Sequence, residues 1–204
     1  STVTNTGATS ILGSVGVSPG TAIVGLPEGQ PIGGTVHAGD PVAAQAQADL
    51  TTAYDFLAGM ACGTNLTGQD LGGQTLAPGV YCFNTSAPLT GTLTLDGQGN
   101  ANAVFVFQMG STLITAASAA VNLIGGAQNT NVYWQVGSSA TLGLGSALKG
   151  NIVALARVTL TTGVALNGRA LARTGGVTMD TNTVGDPSTP TRESTWGMIK
   201  LQYR

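Results

Sequence analysis

Ile152-Val-Ala-Leu-Ala-Arg-Val-Thr-Leu-Thr-Thr-Gly-Val-Ala-Leu-Asn-Gly-Arg-Ala-Leu-Ala172 is the stretch whose reading decides the fold. It holds three kinds of short segment in fixed order, Ile152-Val-Ala-Leu-Ala156, Val158-Thr-Leu-Thr161 and Ala165-Leu-Asn-Gly168, before the first kind returns as Ala170-Leu-Ala172. Working outward, the first kind recurs as Val104-Phe-Val-Phe107 and Val132-Tyr-Trp134. The second recurs as Thr112-Leu-Ile-Thr115, Ala140-Thr-Leu-Gly143 and Val177-Thr-Met-Asp180, and the third as Ala120-Val-Asn-Leu123 and Ala147-Leu-Lys-Gly150. Each turn of the pattern takes about 18 to 29 residues with Gly or Ser-Gly at the corners, which reads as a mostly β, three-sided β-solenoid with strands stacked in register.

The three faces differ in chemistry. Segments of the first kind are apolar without alternation, so both of their sides must be buried. The covering element is expected to be a helix over about residues 41–61, with Asp40 as N-cap, Pro41 in the first helical position and an alanine-rich body. Val42, Ala46, Leu50, Tyr54, Leu57 and Ala61 form its expected buried stripe.

The second face alternates. Leu113, Leu142, Leu160 and Met179 are expected to point inward, and Thr112, Thr141, Thr159 and Thr178 outward as one column on consecutive coils. A poorer second column is Ile114, Gly143, Thr161 and Asp180. Near the start of the chain, Thr2-Val-Thr-Asn-Thr6 followed by Ile11-Leu-Gly-Ser14 matches residues 157–161 followed by 165–168, so Thr4 and Thr6 are expected on the same face. Threonine is a normal strand residue, but the charges that usually blunt sheets against association are almost missing from these positions. Methyls and hydroxyls would repeat at about 4.7 to 4.9 Å between coils and about 6.6 to 6.8 Å along each strand. Those spacings lie close to repeats on ice crystal planes, and such a surface is expected to order water without charge, cofactor or pocket.

Composition narrows the alternatives. The 204 residues carry 8% charged side chains, with Lys+Arg 7 against Asp+Glu 9 for a net charge of −2. No basic surface exists for nucleic acid or an acidic membrane, and the apolar runs are far below membrane-spanning length. One histidine, His37, and scattered acids make neither a triad nor a metal cluster, so no enzyme activity, cofactor or metal is expected; His37 and Asp40 read as loop and cap residues. The two cysteines, Cys62 and Cys82, suit a disulfide, with two buried thiols as the alternative. No Arg- or Lys-flanked apolar leader precedes Ser1, and with the cysteines this points to a secreted protein whose signal has been removed. A monomer is expected. Residues 186–204 break the repeat with two prolines, and Trp196, Ile199 and Tyr203 are expected to pack back as a cap.

The chain resembles the bacterial and fungal ice-binding proteins of the DUF3494 family over residues 1–185. The resemblance rests on Ser10-Ile-Leu-Gly-Ser-Val-Gly-Val-Ser-Pro-Gly20, Leu76-Ala-Pro-Gly-Val-Tyr81, Ala103-Val-Phe-Val-Phe-Gln108, Val132-Tyr-Trp-Gln-Val-Gly-Ser-Ser-Ala-Thr-Leu-Gly143 and Leu166-Asn-Gly-Arg-Ala-Leu-Ala172. It implies a discontinuous right-handed β-solenoid with one long α-helix along a face, the N-terminal coil set beside the C-terminal coils, and ice as the partner of the second face. The residues it points to are Thr21, Thr112, Thr141, Thr159 and Thr178, with Thr162 expected at a corner. They join Thr4, Thr6 and Thr161 from the repeat reading. Thr92 and Thr94 fall on the third face. The short stretch from Thr21 to Gly39 leaves no room for the large capping subdomain of some relatives. The competing function is an adhesin or carbohydrate-binding solenoid, which would need an exposed aromatic platform; at most one of Tyr133 and Trp134 is expected to be free.

Overall fold

A computed structural model describes residues 1–185 of the chain. The expected cap at residues 186–204 lies outside the described residues. Every strand pairing is parallel, and the strands form three faces around one apolar core. One face is a seven-stranded sheet in the spatial order Ala87–Leu89, Leu113–Thr115, Ala140–Leu142, Val158–Leu160, Val177–Asp180, Val3–Thr6, Ile23–Val24. The first strand of the chain therefore lies against the last coil, and the solenoid is discontinuous.

The other two faces are joined. The strands Ala147–Ala154 and Ala165–Ala172 run without interruption from the third face onto the helix-covered face, where the sequence pattern gives two separate segments each. The bend falls at Gly150 and Gly168, which oppose each other at φ +112 and +152. A Cβ on Gly168 would sit 1.9 Å from the Gly150 carbonyl oxygen, so only glycine allows two strands to turn this corner together. The third face keeps the register expected of Ala120, Ala147 and Ala165, with Thr92 opposite Ala120. Thr183 and then Ser10 continue that column, so Ile11 stands level with Leu166, one residue away from the position beside Ala165 that the repeat match gives it.

The core is filled by residues that alternate with outward ones. Leu113, Leu142, Leu160 and Met179 are buried, as alternation requires. Tyr81, Phe107 and Trp134 occupy one position on three successive rungs, with ring centroids 5.4 and 4.2 Å apart. Trp134 donates its indole N–H to the Lys149 carbonyl at 3.0 Å, which satisfies the one polar atom that its burial would strand.

The helix spans Pro41–Ala58, 18 residues, and so reaches about 27 Å along the stack. Asp40 accepts the Ala43 N–H at 2.8 Å as N-cap, and Pro41 opens the first turn. Leu50, Tyr54 and Leu57 pack on Val106, Tyr133 and Val153 of three neighbouring strands, burying the otherwise apolar outer side of that sheet. Gln108, from inside the sheet, donates to the carbonyls of Leu57 at 2.7 Å and Met60 at 2.9 Å, closing the helix C-terminus. Arg173 pairs with Asp55 at 3.1 Å and lies over the Tyr54 ring.

The buried stripe differs from the expected one. Ala43 and Ala53 join Leu50, Tyr54 and Leu57, whereas Val42 is 57% exposed and Ala46 and Ala61 face water. Each step of four residues overshoots a turn by about 40°, so two steps back from Leu50 place Val42 about 80° off the contact line, while seven residues back to Ala43 drift by only about 20°.

Cys62 and Cys82 are joined by a disulfide with Cα atoms 5.9 Å apart. It ties the segment leaving the helix to the strand Gly79–Phe83 on the covered face.

Candidate functional site

The outward side of the seven-stranded sheet carries the candidate residues. In register, Thr141 opposes Thr159, Thr159 opposes Thr178, and Thr178 opposes Thr4, which makes four threonines on four adjacent rungs. Each lies between two inward residues, for instance Ala140 and Leu142 around Thr141, so the pleat holds its side chain outward. Rungs are about 4.8 Å apart, fixed by the backbone ladder and not by side-chain choice.

Hydroxyl bonding sorts the threonines further. Among the described residues, no protein group hydrogen-bonds the hydroxyls of Thr4, Thr141, Thr159 or Thr178. The Thr161 hydroxyl donates to the Leu142 carbonyl at 2.7 Å, that of Thr112 to Ser86 at 2.7 Å, and that of Thr162 to the Asp180 carboxylate. These three are committed to the protein at the margins of the sheet.

Two expected members leave the row. Ile114, not Thr112, opposes Thr141, because Leu113 pairs with Ala140 and not with Leu142. Thr112 falls two residues back, beside Ser86. The displacement arises because the inward position accepts either Leu or Ala, so a register that pairs leucine with leucine is slipped along the strand axis from the true one. Thr115 turns into the core as a result: it is buried, accepts the Gly143 N–H at 2.8 Å and donates to Ser146 at 3.3 Å. Thr21 precedes the strand Ile23–Val24, and it is Val24 that opposes Thr4; Thr21 sits at the corner beside Gly39. Thr6 does lie on the face, exposed and opposite Asp180, whose carboxylate accepts from Thr162 and Thr181.

Thr92 and Thr94 belong to the third face, opposite Ala120 and Asn122. His37 hydrogen-bonds Asp40 at 2.7 Å and Thr35 at 2.7 Å at the helix entry. The Ala43 N–H and then the His37 contact hold the Asp40 carboxyl below its ordinary value of 3.8. No group of three or more His, Cys, Asp or Glu able to hold a metal occurs among the described residues. No helix there is long and apolar enough to cross a membrane. Trp134 is 0% and Tyr133 6% exposed, so neither ring offers a platform.

A parallel solenoid whose first strand closes onto its last coil, with a helix along one face and a row of outward hydroxyls on the next, defines an architectural class of β-solenoid protein. Comparison with known proteins identifies which. The model of the ice-binding-like family matches residues 1–185, and the chain belongs to that family. An ice-binding protein of Nostoc sp. (strain HG1) is 54% identical over 187 residues, covering 91% of this chain and 69% of that protein. The crystal structure of an ice-binding protein from the Antarctic ascomycete Antarctomyces psychrotrophicus superposes with a TM-score of 0.88 at 42% identity, over 92% of each chain. The DUF3494 domain of Shewanella frigidimarina ice-binding protein 1 gives 0.80 at 30% identity, over 92% of this chain and 94% of that one.

Proposed function

We propose that this protein binds ice through the outward side of the seven-stranded sheet, as an antifreeze protein that inhibits ice growth and recrystallisation. The observation that carries the site is the unbroken row Thr141, Thr159, Thr178 and Thr4, with hydroxyls that no described protein group engages. A surface of this kind binds by matching an ordered water layer. The hydroxyls each anchor a water, the methyls exclude others from the gaps, and the rigid ladder keeps the spacing constant when the layer joins the crystal. Side-chain ordering costs little because β-branched threonines have few rotamers to lose. Thr6 extends the site along its strand, while Thr21, Thr112 and Thr161 contribute at its margins.

The reading includes three further parts. The protein acts without catalysis, since ice adsorption needs no titrating group. It works as a monomer, each copy presenting one face. It is secreted, a setting that suits the Cys62–Cys82 pair and the sparse charge. The adhesin alternative loses its main support with Tyr133 and Trp134 buried under the helix and in the core.

The test is ice growth in dilute protein. Wild type is expected to show thermal hysteresis, faceted crystals and arrested recrystallisation, and Thr159→Tyr to lose most of each while keeping its circular dichroism spectrum and melting temperature. Unshaped crystals with folded wild-type protein would reject the reading.

A further inference from the structure

The outward row continues beyond the four threonines. In register it runs Pro88, Ile114, Thr141, Thr159, Thr178, Thr4, Val24, one residue from every strand of the sheet. The residues beyond the hydroxyls at both ends are apolar. Ile114 is 50% exposed and Val24 59%, among the most exposed large apolar side chains of the described residues. Single exposed aliphatics are ordinary on a protein surface; these differ in that each end continues a uniform row directly, Pro88 and Ile114 side by side at one end and Val24 at the other. Among the described residues the outermost strands are Ala87–Leu89 and Ile23–Val24; sheet edges are commonly guarded by charged side chains or proline, and Pro88 fits that use, whereas the outward Val24 supplies neither.

We propose that Ile114 and Val24, with Pro88, are ice-contacting residues, so that the site is an apolar-flanked row of seven rungs, about 29 Å long at about 4.8 Å per rung, and not a four-rung threonine patch. The proposal rests on the reading that this face binds ice. Water over an aliphatic surface keeps its hydrogen bonds by forming them with other water molecules, so the layer there takes its geometry from its own network. The central hydroxyls fix that network in position, and the flanks let it extend without any group pulling it off the crystal spacing. An ammonium in either flank would instead hold a hydration shell of its own and interrupt the layer at that end.

Ile114→Lys and Val24→Lys disturb the two ends separately, on rungs at opposite sides of the threonine row. Ile124→Lys is the matched control: it introduces the same charge at an aliphatic residue that is 42% exposed but lies on the third face. Thr159→Tyr tests the underlying reading. All four substitutions are at outward positions, and thermal melts verify that each variant is folded before its activity is compared. At equal concentration, thermal hysteresis is expected to fall to less than half of wild type for Ile114→Lys and for Val24→Lys, with Ile124→Lys unchanged. Wild-type hysteresis in both flank variants alongside an inactive Thr159→Tyr overturns the extension and leaves the face assignment standing. Wild-type hysteresis in all four variants overturns the face assignment itself.

Discussion

Neighbouring residues on one strand of this molecule have opposite roles, and substitution should separate them. Thr141 faces water while Leu142 is fully buried between Leu160 and the core. Leu142→Ala is expected to cost about 2 to 5 kcal/mol in urea unfolding, the transfer loss plus the cavity left in a closely packed interior. Thr141→Tyr should leave the unfolding midpoint within the scatter of surface substitutions and still abolish crystal shaping. Equal loss of folding in both would contradict the inward and outward assignment. Glycine sets a second limit at this scale: Gly168→Ala at φ +152, against the Gly150 carbonyl, should cost about 1 to 3 kcal/mol from the backbone alone.

The helix shows what an element contributes that its residues do not. Its intrinsic propensity would leave an 18-residue segment marginal in water; it is the sheet of Val106, Tyr133 and Val153 that holds it, and it in turn keeps those side chains dry. Its entry depends on the ionised Asp40 carboxylate, which accepts the Ala43 N–H. Because folding lowers the Asp40 pKa below 3.8, its contribution is fully present above that value and is lost as pH falls through the lower, folded-state value. Thermal melts between neutral pH and pH 2 should therefore show a steeper acid decline for wild type than for Asp40→Asn, whose amide oxygen caps without titrating. The exit depends on Gln108 and on the disulfide. Closing a loop with a sequence separation of 20 residues is worth about 3 kcal/mol on chain entropy, so Cys62→Ser with Cys82→Ser should lower the urea midpoint by a corresponding amount, with the spectrum of the folded state unchanged.

At the scale of the whole molecule, the discontinuous path completes the face. The chain begins with Val3–Thr6, which closes the last coil at Val177–Asp180, and Ile23–Val24 follows on the outside. The helix then carries the chain along the stack, and the remaining coils build back until they meet the first strand. Residues nearly the whole described chain apart therefore share one row: Thr4 and Thr178 are adjacent on the surface. A solenoid needs a covered apolar face and protected ends; among the described residues the helix covers the apolar face and Val3–Thr6 pairs along the last coil.

Much of this was legible in the sequence because a β-solenoid repeats locally: the three kinds of segment, the Asp40 and Pro41 helix start, the third-face column through Ala120, Ala147 and Ala165, and the match that brought Thr4 and Thr6 to the face all follow from short-range pattern. The same pattern separated inward leucines from outward threonines, since alternation is a property of each strand by itself. What only the tertiary structure decided is register between strands. Leu113 faces Ala140, so Ile114 enters the row and Thr112 leaves it, and Val24 and not Thr21 stands beyond Thr4. The physical reason is common to both. An inward position on one strand is satisfied by any residue that fills the space its neighbours leave, Ala as readily as Leu, and that space exists only once the coils are stacked.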